Sequence, residues 1–131
     1  MSLGDSATPL GKVEGLGSAH AGGEHWLAER VSSAALLLLG SWLIASLMLL
    51  PSLDQRTLAE WLAAPSGAVP MALFVIAAFK HALDGMKVVV DDYVHDEGNR
   101  LALNVLLLFL TIAGASLALF ALGRIAFGGA A

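Results

Sequence analysis

From Val31 to Leu50 the chain runs for twenty residues without a charge, and then stops at Pro51. Crossing the hydrocarbon core of a bilayer takes about 20 apolar residues of helix, so this run constrains the fold before any motif is considered. Two more runs follow. One begins after Pro65 and reaches about Val90, uncharged as far as Phe79, and the other spans Leu101 to Leu122 without a charge. In lipid a helix satisfies its own backbone hydrogen bonds, and none of the runs alternates as a strand would, so all three are read as helices. Composition agrees, because 57% of the 131 residues are hydrophobic and only 14% charged, against about a quarter charged in ordinary globular domains. The expected fold is all-α and integral to the membrane, with three transmembrane helices running up-down-up over about 31–50, 66–90 and 101–123.

The same arithmetic removes several classes of function. With no Cys in the chain, disulfide scaffolds, iron–sulfur ligation and Cys-based zinc sites are excluded on this polypeptide. A net charge of −4 with only seven Lys and Arg argues against nucleic-acid binding. The first thirty residues lack the apolar core of a secretory signal. They also carry Asp5, Glu14, Glu24 and Glu29 against Lys12 and Arg30, which is unlike a mitochondrial presequence. A bacterial inner membrane is therefore expected. Residues 1–25, rich in Gly and Ser, read as a flexible segment, and 26–127 as one three-helix membrane domain. Lys12, Arg30, Lys87 and Arg100 on one side outnumber Arg56 and Arg124 on the other, which puts the N-terminus in the cytoplasm. Between the first two spans, Asp54 to Ala64 sets Leu58, Trp61 and Leu62 at helical spacing, as in a short amphipathic helix lying in the interface. Gly98-Asn99 supplies a natural break in the polar stretch 91–100. Ser41-x3-Ala45 and Gly114-x3-Ala118 read as close-packing seams.

The second span carries the chemistry. Lys80, His81, Asp84 and Lys87 lie within it, where ionisable groups are costly and are either paired or functional. At about 100° per residue, Gly85, Val88 and Asp92 all fall within roughly 40° of His81 and form one stripe. Lys80, Asp84, Lys87 and Asp91 form a second stripe whose signs alternate one turn apart, which reads as a self-neutralised ladder. The competing reading is a proton or ion path. His81 has two readings as well. It is either a hydrogen-bonded structural imidazole or an axial ligand for a heme, whose flat ring could approach the helix beside Gly85. The other histidines, His20, His25 and His95, lie outside the spans, so a second axial ligand would come from another chain. Asp92 and Tyr93 stand at the end of the span as an acid–phenol pair read on the His81 face, with Asp92 about 16 Å along the axis from His81. An acid and a phenol together suit a quinone, whose carbonyl oxygens must be held and protonated.

Residues 81–93, HALDGMKVVVDDY, resemble the His-x3-Gly-Met-x5-Asp-Tyr signature of the small hydrophobic membrane anchor of succinate dehydrogenase. His81, Gly85, Met86, Asp92 and Tyr93 stand at its positions. HWLAERVSSAALL, His25 to Leu37, is similar to the start of that anchor's first helix, where an Arg precedes a small hydroxyl-bearing pair. The resemblance covers roughly residues 20–125. It implies that His81 is an axial ligand of heme b and that Asp92 and Tyr93 border the ubiquinone site. It also implies that Arg30 lies near the heme propionates or the quinone pocket, although a positive-inside anchor accounts for an Arg there equally simply. Ser32 and Ser33 read as small packing residues. Asp84, Lys87 and Asp91 place more charge on this helix than the signature requires. The implied partners are a second membrane anchor chain of the cytochrome b556 type, with which the helices pack into a larger bundle, together with an iron–sulfur subunit and a flavoprotein subunit. A fumarate reductase anchor using menaquinone and a small transport or channel subunit are the alternatives.

Overall fold

The computed structural model describes residues 22–128, so the segment 1–21, with Lys12 and His20, lies outside the described residues. Four helices follow in order: α1 (Gly22–Leu49), α2 (Gln55–Ala63), α3 (Pro65–Tyr93) and α4 (Glu97–Gly128). Helices α1, α3 and α4 are each long and apolar enough to cross a membrane, with mean hydropathies of 1.9, 1.5 and 2.6 over their spans. This is the all-α, three-span architecture expected from the runs. The helices extend beyond the apolar runs because a helix keeps its backbone bonded into the interface as well as through the hydrocarbon. At about 1.5 Å per residue, the 29 residues of α3 reach about 44 Å, against a hydrocarbon thickness of about 30 Å. Its Asp92–Tyr93 end therefore projects past the apolar zone if its Pro65 end sits at the opposite boundary.

Helix α3 is the centre of the molecule. It packs against α1 on one side and α4 on the other, and among the described residues the backbones of α1 and α4 do not approach each other closely. The three spans thus stand in a row with open faces. Among the described residues only Leu83 and Leu122 are buried apolar side chains, while residues such as Leu37, Leu38, Met48, Phe109 and Phe120 are exposed. A row of this kind cannot enclose a bulky ligand by itself.

The short helix α2 is set by local chemistry. Asp54 is its N-cap, and its Oδ1 accepts from the Thr57 amide at 2.9 Å. The Ser52 hydroxyl also donates to Asp54, and these bonds hold its carboxyl below the usual carboxylate range. Because the folded value is depressed, the cap's contribution is lost as the pH falls through it. Ala64 takes an extended conformation ahead of Pro65, which ends α2 and starts α3. Trp61 stacks on Trp42 of α1, with ring centroids 5.6 Å apart. Gly67 closes the corner, since a Cβ there would stand 2.1 Å from the Trp61 carbonyl oxygen. Gly67→Ala is therefore expected to open the α2–α3 corner at a cost of about 1–3 kcal/mol. A lower Tm and a weakened near-UV signal from the Trp42–Trp61 pair would report it.

Two sequence expectations change on inspection of the helix ends and seams. The break between α3 and α4 lies at Val94–Asp96 instead of Gly98-Asn99. Asp96 wins because its Oδ1 accepts from the Asn99 amide at 2.8 Å, which draws Gly98 and Asn99 into the first turn of α4. The Gly114 seam forms, with a Cβ there meeting the Phe79 ring of α3 at 2.6 Å. Ser41 and Ala45 instead face outward, and Gly40 beside them approaches Phe74.

Candidate heme and quinone site

The site begins where α1 crosses α3. Ser32 of α1 is 8% exposed, and its Oγ lies 3.1 Å from Nδ1 of His81 on α3. The same hydroxyl donates to the Glu29 carbonyl at 3.0 Å, one turn back along α1. That bond occupies the single hydroxyl hydrogen, so the His81 contact is best made with Nδ1–H donating to Ser32 Oγ. Nε2 then carries the lone pair, and it has no hydrogen-bond partner among the described residues.

One turn along α3, Gly85 is exposed, and a Cβ built there would meet nothing within 4 Å. Met86, Val88 and Val89 nearby are exposed apolar side chains. The stripe expected from the sequence, His81, Gly85, Val88 and Asp92, therefore forms an open face, with His81 half-buried at its base and the remainder uncovered. An imidazole whose Nε2 has no partner among the described residues, one turn from a bare, apolar stretch of backbone, is a donor set that fits a heme. Among the described residues no three His, Asp or Glu side chains cluster as a self-contained metal site. Any metal held through His81 would need further ligands from outside the described residues.

Asp92 and Tyr93 differ in placement. Helix α3 is continuous through Tyr93, so Asp92 lies about 20° from the His81 direction but Tyr93 about 120° away. Only the acid shares the His81 face. The phenol, 78% exposed, stands on the neighbouring flank at the helix end, where it remains available to a ligand or another chain. Arg30 is not brought to His81. It lies two residues before Ser32, about 160° around α1, and its guanidinium sits 5.3 Å from the Trp26 ring centroid.

The second stripe is partly a ladder. Lys80 and Asp84 form an ion pair one turn apart, with the Asp84 carboxylate nearly buried and Lys80 about half-exposed. Asp91 instead accepts from Asn104 Nδ2 of α4 at 3.1 Å, tying the two helices together near their connection. The pairing of Asp84 favours the structural reading of this stripe over a polar path. Lys80→Ala is accordingly expected to cost about 1–2 kcal/mol, intermediate between exposed and buried pairs. It should lower the Tm while the absorption spectrum and quinone turnover stay as in the parent.

A broad groove lined by Asp54, Arg56, Leu62, Ala121 and Arg124 lies at the opposite end of α3, away from this chemistry. Sequence reasoning missed two residues. Ser32, expected only to pack, follows an Arg at the start of an otherwise apolar run, and that position is the available signal. Asn104 was passed over as uncharged, although a lone amide inside an apolar span usually has a partner.

Comparison with known proteins places this arrangement. The profile of the succinate dehydrogenase/fumarate reductase transmembrane subunit family matches residues 4–121. The chain belongs to this family. It is similar to the succinate dehydrogenase hydrophobic membrane anchor subunit of Paracoccus denitrificans, with 34% identity over 92% of this chain and 93% of the relative. The protein of the same description from Rickettsia conorii is 33% identical over 88% of this chain and 95% of its own length. That from Rickettsia bellii is 31% identical over 69% of this chain and 72% of its own. The chain is thus a multi-pass transmembrane subunit of the succinate dehydrogenase/fumarate reductase type.

Proposed function

We propose that this chain is the membrane anchor of a succinate dehydrogenase in a bacterial inner membrane, with its N-terminus cytoplasmic, and that it contributes to a heme b site and to the site of ubiquinone reduction. The observation that carries this reading is the Ser32–His81 contact, which engages Nδ1 of an intramembrane imidazole and leaves Nε2 without a partner among the described residues, one turn from the open backbone at Gly85. His81 would supply one axial ligand, and a second anchor chain the other. When bound, heme b would supply a one-electron redox centre. The exposed faces of α1, α3 and α4 suit that second anchor chain, since the row of helices leaves them uncovered.

The chain's own residues act by holding and protonating. Tyr93 donates its hydroxyl hydrogen to a quinone carbonyl oxygen, and Asp92 relays a proton to the same region. Electrons arrive from an iron–sulfur subunit fed by a flavoprotein subunit on the cytoplasmic side. Arg30, held against Trp26, serves as a cytoplasmic-side anchor in this reading. The relatives described above are all succinate dehydrogenase anchors, which favours succinate oxidation over fumarate reduction.

Purification through a tag on this chain tests the assignment. A flavin-bearing and an iron–sulfur polypeptide should co-purify, together with succinate-driven reduction of a soluble quinone. Recovery of the chain in an assembly with neither flavin nor that activity would reject it.

A further inference from the structure

We infer that Ser32 is a positioning residue for His81, acting as the hydrogen-bond acceptor that fixes the Nδ1–H tautomer and so directs Nε2 to the heme iron. This rests on the heme reading above and adds a residue to it. A serine has one hydrogen to donate and two lone pairs with which to accept. The Glu29 carbonyl takes the hydrogen at 3.0 Å, which leaves the lone pairs for His81 Nδ1 at 3.1 Å. The resulting chain, imidazole N–H to hydroxyl to carbonyl, runs in one direction and polarises along its length. Ser32 is nearly buried, so water does not compete for either bond.

The opposite direction, with Ser32 donating to Nδ1, would put the hydrogen on Nε2 and remove the lone pair a metal needs. Glu29 makes the first direction the favourable one. Its carbonyl also accepts from Ser33 at 2.8 Å, but Ser33 is exposed and makes no hydrogen bond to His81. The two adjacent serines therefore have different roles. An acceptor at Nδ1 raises the basicity of Nε2, which strengthens its bond to iron and favours the oxidised state.

Four variants of the intact complex test this: Ser32→Ala, Ser32→Thr, Ser33→Ala and His81→Ala. The readouts are the heme midpoint potential, the low-spin electron paramagnetic resonance signal and the rate of heme loss. Ser32→Ala should retain heme with a raised potential, an altered low-spin signal and heme retention weakened roughly 10-fold, the low end for groups supporting a ligand. Ser32→Thr, which keeps the hydroxyl, should restore parental values, and Ser33→Ala should match the parent. The inference is overturned if Ser32→Ala leaves potential and signal unchanged, or if Ser32→Thr behaves like Ser32→Ala. Should Ser32→Ala not assemble, Ser32→Cys, similar in volume but a weak acceptor, is read against the same outcomes. If His81→Ala retains the parental heme signal, the heme reading itself fails; if it loses heme while Ser32→Ala is silent, only the role of Ser32 fails.

Discussion

His81→Ala is expected to remove or grossly alter the b-type heme band in the reduced-minus-oxidised spectrum, with the other subunits still co-purifying. The imidazole is the only side chain on the His81–Asp92 face of α3 that offers a nitrogen ligand, and Ser32 holds it in place from α1. Alanine leaves a small cavity and an unmatched acceptor lone pair on Ser32, whose hydrogen stays on the Glu29 carbonyl, a cost of about 1–2 kcal/mol that a large assembly tolerates. The spectral loss is far larger in proportion, because an axial ligand has no substitute on that face. A difference spectrum identical to the parent's would remove His81 from the heme site.

Tyr93→Phe is expected to reduce quinone turnover by about 10- to 100-fold while succinate oxidation with an artificial dye proceeds at the parental rate. A hydroxyl bonded to an oxygen that gains charge during reduction is worth about 1.5–3 kcal/mol, and each 1.4 kcal/mol is about a factor of ten. The ring is 78% exposed in this chain, so deleting the oxygen removes no intrachain packing. The split between the two activities is therefore the diagnostic. If both fall together, Tyr93 acts in assembly and the assignment to quinone fails.

The three spans and the interfacial helix were legible because lipid imposes length and uninterrupted apolarity, which a sequence shows directly. The faces of α3 were legible for the same reason that any helix face is: 100° per residue is fixed by the backbone. That rule, applied one residue further, also separates Tyr93 from the Asp92 face, which grouping the two as a pair had obscured. What could not be read was which helix crosses where. The Ser32–His81 contact joins residues 49 positions apart, and nothing in either local sequence specifies that α1 meets α3 at that level. The same holds for Asn104 reaching Asp91 from α4. The misplaced break at Gly98-Asn99 has a local cause, a strong Asp cap three residues upstream of Asn99 outweighing a weak helix former.

The central claim is that the intramembrane imidazole on α3 faces a tetrapyrrole. An experimental density map of the assembled complex measures this directly. The account predicts His81 Nε2 bonded to iron, Nδ1 within hydrogen-bonding distance of Ser32 Oγ, and the porphyrin edge lying over Gly85. A map with His81 directed into acyl chains and protein side chains filling the space over Gly85 would contradict it.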